Sequence, residues 1–201
     1  VIADGRRKGG KCLAVSAKVH IFADARTHLK TRIKHNKDMK EEQKTTMADE
    51  QHMREAIRLA TENVAQGGGP FGAVIVRDGQ VLATGVNRVT ANNDPTAHAE
   101  VSAIREACRR LGTYDLSGAV IYSSCEPCPM CLGAIYWARI KHVYCGCNQQ
   151  DADRIGFSDA FIYQELDRPK ADRQLGQTTL LHDEAQQAFR AWEDKTDRVD
   201  Y

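Results

Sequence analysis

The chain has 201 residues, 42% hydrophobic and 27% charged, with a formal net charge of +1. That length supports one domain with a full core. No apolar run approaches a membrane span and the start lacks the apolar centre of a secretory signal, so the expectation is a cytoplasmic protein with no membrane association. The charge is uneven: residues 1–46 hold 12 Lys/Arg against 5 Asp/Glu, and residues 47–201 hold 16 against 22. An acidic body is a poor partner for a polyanion, because Lys and Arg supply most non-specific nucleic-acid affinity.

In chain order, residues 1–46 carry no clean period of 2 or 3.6 and are expected to be a mobile basic extension. Met47 is a candidate natural start that would leave this extension outside the functional domain, 47–201. Asp49 can cap a helix running to about Gln66, with Met53, Ile57, Ala60 and Val64 on one face. Gly72–Arg77 and Val81–Val86 read as a hairpin turning at Asp78-Gly79. Asp94-Pro95 is expected to open a helix through about Leu111. Ala119–Ser124 reads as a covered strand, Cys128–Arg139 as a helix and His142–Cys147 as another strand. Thr178–Leu181 fits a strand or a loop, and Asp183–Lys195 fits a helix presenting Phe189 and Trp192. This order predicts an α/β fold, a three-layer α/β/α sandwich around a mixed sheet of about five strands.

The chemistry concentrates in two short segments, Thr96-Ala97-His98-Ala99-Glu100 and Glu126-Pro127-Cys128-Pro129-Met130-Cys131. Cys128 and Cys131 stand three apart at the start of a helix, which puts both sulfurs on one face. A helix N-terminus favours thiolates near neutral pH. With the imidazole of His98 they make a donor set suited to Zn²⁺, one per subunit, and leave a fourth position for water. Zinc can bring such a water to a pKa of about 7, and Glu100 can then move protons between that water, a substrate ring and a leaving amine. H-x-E followed by P-C-x-x-C is the known signature of zinc deaminases that act on bases. A closed structural site would recruit Cys125 as a fourth ligand and leave Glu100 idle. The remaining cysteines, Cys12, Cys108, Cys145 and Cys147, read as free buried thiols.

Beyond this signature, Gly69–Val76, Asn92–Val101, Ser124–Trp137, Gly156–Tyr163 and the terminal Tyr201 resemble the guanine deaminases of the cytidine deaminase superfamily, over roughly residues 50–201. The resemblance implies a cytidine deaminase-like fold and hydrolysis of guanine to xanthine and ammonia, a step of purine catabolism. It also implies a homodimer whose C-terminal segment exchanges between subunits. Substrate contacts are then expected at Asn87, Ala99, Asp159, Phe71 and Trp137, with Tyr201 arriving from the partner. A carboxylate such as Asp159 suits the N–H groups of guanine and suits adenine less, since a buried acceptor rejects a ligand that lacks the donor.

Other readings remain open at this point. A tRNA adenosine deaminase shares the signature, but it calls for a basic surface around the site. A deaminase of guanosine or of an aminated triazine differs only in pocket shape. A zinc-stabilised binding module without catalysis would need no Glu100.

Overall fold

A computed structural model describes residues 47–200. The expected N-terminal extension and Tyr201 lie outside the described residues. Residues 47–65 form helix α1. Its buried stripe runs through Ala56, Ala60 and Asn63, while Ile57 and Val64 are exposed. The expected face Met53, Ile57, Ala60 and Val64 is therefore displaced by one residue at two of its positions. A strand packs so closely on this helix that small side chains line the contact, and the larger aliphatic groups turn outward.

Strands β1 (Gly72–Arg77) and β2 (Gln80–Val86) pair antiparallel from Gly72↔Val86 to Arg77↔Gln80. Their two-residue turn has positive φ at both Asp78 (51°) and Gly79 (75°), the twist that a tight hairpin requires. A short helix α2 (Val89–Asn92) follows. Helix α3 spans Ala99–Leu111 and starts four residues later than the Asp94-Pro95 expectation. The Asp94 carboxylate explains the delay: its Oδ1 accepts hydrogen bonds from Thr96 N (2.8 Å) and Thr96 Oγ1 (2.7 Å), so Pro95 sits in an Asx turn and not in a first helical turn.

Strand β3 (Val120–Cys125) lies antiparallel beside β1. Helix α4 (Pro129–Trp137) connects it to β4 (His142–Cys147), which pairs with β3 in parallel. The sheet order is β2-β1-β3-β4. It has four strands among the described residues, where about five were expected. Thr178–Leu181 contributes none: Leu180 is exposed and Leu181 takes a left-handed φ of 52°, which ends any extended run. Helices α5 (Gln149–Arg154), α6 (Ala160–Asp167) and α7 (His182–Glu193) complete the described chain.

The alternation of β1 divides the core. Ala73 and Ile75 join Ile121, Leu116, Ile135 and the α3 alanines on one face. Val74 and Val76 join Tyr122 and Ala56 of α1 on the other. Helices thus cover both faces, and the three-layer sandwich is the observed architecture. None of the described helices is long and apolar enough to cross a membrane.

Candidate metal centre and base pocket

The ends of β2 and β3 and the starts of α3 and α4 converge on one spot. His98 is the N-cap residue of α3 and Cys128 that of α4, both with extended backbone. Cys131 follows on the first turn of α4, fully buried. The His98 Nδ1 stands 3.5 Å from Cys128 Sγ and 3.5 Å from Cys131 Sγ. Donor atoms of all three residues lie within 4.8 Å of one another. A tetrahedral zinc, with Zn–S near 2.3 Å and Zn–N near 2.05 Å, would hold such a sulfur and nitrogen about 3.5 Å apart. The three residues therefore fit zinc in both chemistry and spacing.

The hydrogen bond from the Cys131 thiol, followed by one from His98, draws Cys128 far below the usual thiol range, and burial opposes this. The same bond and burial push Cys131 up. His98 is raised, first by its bond to Cys128. Cys125 behaves differently. Burial pushes its thiol up to about 11, and its Sγ donates to the Asn148 carbonyl at 3.5 Å. It stands outside the three-residue donor group, so the arrangement is the open three-ligand kind.

Glu100 is 6% exposed. Ser123 Oγ donates to its Oε1 at 3.0 Å, and the Cys131 thiol approaches its Oε2 at 3.3 Å. Desolvation dominates and raises its pKa, with the hydrogen bonds from Cys131 and Ser123 opposing. Burial thus makes this carboxyl hold a proton more readily than an exposed one, a shift in the direction a proton carrier needs.

Above this floor opens a cavity of about 510 Å³, lined among others by His98, Glu100, Cys128, Asn87, Phe71 and Asp159. Asn87 follows β2 and is nearly buried; its N–H donates to the Phe71 carbonyl (3.1 Å) and its Oδ1 accepts from Val89 N (3.3 Å). Phe71 meets Phe157 edge to face, with ring centroids 4.9 Å apart. Asp159 precedes α6 but its side chain does not cap that helix. Its Oδ1 is buried with no hydrogen-bond partner among the described residues. Burial raises its pKa, opposed by a hydrogen bond from the Gln149 side chain.

Two expected contacts fall elsewhere. Ala99 is fully buried in the core cluster behind the cavity. Trp137 does not line the cavity in this chain and is exposed at the end of α4, while its helix neighbour Ile135 takes the buried side. Sequence reasoning missed Ser123, Phe157 and Ile162. Phe157 and Ile162 lie inside the Gly156–Tyr163 motif, where their apolar character gave no chemical cue. Ser123 was legible only as a polar break in an otherwise covered strand.

Residues 46–147 match the family described as cytidine and deoxycytidylate deaminase zinc-binding region. The chain is 50% identical to a guanine deaminase of Bacillus subtilis over 156 residues, which is 77% of this chain and all of that protein. The X-ray structure of guanine deaminase from Bacillus subtilis superposes with a TM-score of 0.73, covering 76% of this chain and 98% of that one. A tRNA-specific adenosine deaminase of Bacillus subtilis is 43% identical over 98 residues, 49% of this chain and 61% of that protein.

Proposed function

The chain belongs to the cytidine and deoxycytidylate deaminase family, and from that premise we propose that it hydrolyses guanine to xanthine and ammonia. The observation that carries the proposal is a carboxylate, Glu100, buried beside the His98–Cys128–Cys131 donor group at the floor of a cavity that Asn87 and Asp159 wall. Zinc held by those three donors would supply a water that is readily deprotonated near neutral pH. Glu100 takes the proton of the attacking water as its oxygen bonds to the ring carbon bearing the amino group. It passes that proton to the adjacent ring nitrogen. Glu100 then takes the remaining proton of the newly attached hydroxyl and hands it to the amine; the C–N bond breaks, the oxygen becomes the ring carbonyl and the amine leaves as ammonia. Ser123 keeps the carboxyl aimed at the reacting atoms.

Base selection follows from the walls. Asp159 offers an unpartnered acceptor to the N–H groups of guanine, Asn87 meets the purine edge, and Phe71 flanks the ring. A buried acceptor left unpaired by the wrong base is the strongest discriminator such a pocket has. The tRNA-specific adenosine deaminase of Bacillus subtilis matches 49% of this chain where the guanine deaminase matches 77%, and the acidic body over residues 47–201 gives a polyanion little to hold.

We further propose a homodimer in the cytoplasm, acting in purine breakdown, with the C-terminal segment crossing to the partner. Helix α7 supports this. It is amphipathic, yet buries no residue, and Phe189 is 64% exposed. The exposed Trp137 belongs to the same proposal, as a contact between subunits, and Tyr201 as a residue delivered to the partner's cavity.

The test is ammonia release from guanine, guanosine, adenine and cytosine and from a tRNA anticodon stem, with Glu100→Ala as blank. Release from guanine, abolished in the variant, is the expected result. Release from another substrate alone would overturn the base assignment and leave the zinc chemistry standing.

A further inference from the structure

Asn63 closes the buried stripe of α1, whose other members are the apolar Ala56 and Ala60. It is 2% exposed, and both hydrogens of its Nδ2 are used. One bonds the Gly69 carbonyl at 2.8 Å and the other the Asn87 carbonyl at 2.8 Å. Gly69 and Asn87 are both cavity residues. The tie extends further: Phe71 N donates to the Gly69 carbonyl (2.8 Å), Asn87 N donates to the Phe71 carbonyl (3.1 Å), and Gly68 N donates to the backbone carbonyl of Asn63 (2.9 Å). One carboxamide therefore joins the glycine loop after α1 to the segment after β2, at Asn87, which lies 24 residues beyond Asn63 in the chain.

Only one orientation of that carboxamide serves. Flipped, its oxygen would face two carbonyl oxygens and both bonds would be lost. The fixed orientation leaves Oδ1 buried with no hydrogen-bond partner among the described residues. An apolar residue would avoid that cost if the position only needed filling. The backbone makes room as well: a Cβ at Gly68 would stand 2.2 Å from Asn63 Nδ2, and its three nearest neighbours would all be side-chain atoms of Asn63.

We propose that Asn63 is a positioning residue for base selection. It never meets the base. It sets the height and tilt of Asn87 and the Gly69–Phe71 wall relative to the ring, and this role rests on the reading of the cavity as a purine site. Misplacing a binding group by about 1 Å can cost up to ~100-fold, so the effect should be large although the residue lies behind the wall. It should appear in KM more than in kcat, because Glu100 and the metal donors hang from α3 and α4.

The experiment is a cycle of Asn63→Ala, Gly68→Ala and the double variant, each zinc-loaded. It follows guanine turnover, guanine binding by calorimetry, zinc content and melting temperature. Each single variant is expected to raise KM for guanine about 10-fold or more, with kcat within ~3-fold and zinc unchanged. Gly68→Ala acts by displacing the Asn63 carboxamide, so the double variant should be no worse than Asn63→Ala alone. A KM within ~2-fold of wild type in folded single variants would overturn the role, as would KM effects that multiply in the double variant. If Asn63→Ala fails to fold, the KM of Gly68→Ala against wild type decides by itself. Wild-type protein that neither binds nor turns over guanine would bring down the purine reading and this role together, an outcome visible before any variant is compared.

Discussion

Helices α3 and α7 are both amphipathic and of nearly equal length, at 13 and 12 residues, yet α3 buries six residues and α7 none. Helix α3 lies along β1 and β2 and carries Glu100 into the site. Helix α7 turns Phe189 and Trp192 outward. Amphipathic periodicity specifies that a face will be covered; it does not say by what. In α3 the cover is the sheet of the same chain. In α7 no described residue of the same chain buries that face, and the proposed exchange between subunits would supply a cover.

The comparison can be broken in four places. The largest effect belongs to the chemistry that α3 carries. Glu100→Gln should lower kcat on guanine by about 10³- to 10⁴-fold with zinc stoichiometry unchanged. Ammonia release together with metal analysis checks this, and a loss under ~10-fold would leave the proton path without its carrier.

Next comes packing. Ile104→Ala on α3 should destabilise the fold by about 2–4 kcal/mol, whereas Phe189→Ala on α7 should change it by less than ~0.5 kcal/mol at concentrations where the chain is monomeric. Urea unfolding separates the two. A large Phe189 effect that persists on dilution would mean that α7 packs within its own chain. The third measurement is on the assembled protein. Removing residues 168–201 should leave cooperative melting intact, yield a monomer by light scattering and reduce guanine turnover by about 10²-fold. A truncated dimer with full activity would remove the case for exchange.

The smallest effect is electrostatic. Hydrogen bonds from Arg109 and Arg110 hold Glu106 of α3 down to about 2 from an ordinary 4.5. A depressed carboxyl adds stability above its unfolded pKa and loses it as pH falls through its folded one. Glu106→Gln should therefore flatten the part of the acid-induced fall in melting temperature that lies between about pH 4.5 and about 2. An unchanged slope over that window would show that these exposed bonds contribute nothing measurable.

Much of this was legible in the residues. The donor spacing of His98, Cys128 and Cys131 reports a local constraint, two helix starts facing one point, and the geometry reproduces it within 4.8 Å. The hairpin was legible because Asp78-Gly79 forces a turn. Asn63 was hidden for the opposite reason. Val64 offered a better apolar period, and only the distant carbonyl of Asn87 explains why a polar side chain holds the buried place. The late start of α3 was hidden in the same way, since Asp94 can cap a helix or close an Asx turn and nothing local decides between them. The place of Trp137 was implied by the resemblance alone, and in this chain it is exposed and lies outside the cavity lining.

The helix starts at the metal centre carry one more consequence. Neither His98 nor Cys128 makes a side-chain capping hydrogen bond, although each occupies the capping position of its helix. The His98 ring nitrogen and the Cys128 sulfur instead approach each other at 3.5 Å. A cation bound there would fasten two helix starts in place of the caps the chain forgoes. By mass action each tenfold rise in free zinc above its dissociation constant would then add about 1.4 kcal/mol to the folded state. The heat tolerance of the zinc-loaded chain would then depend on the metal ion's activity in the buffer as well as on the sequence.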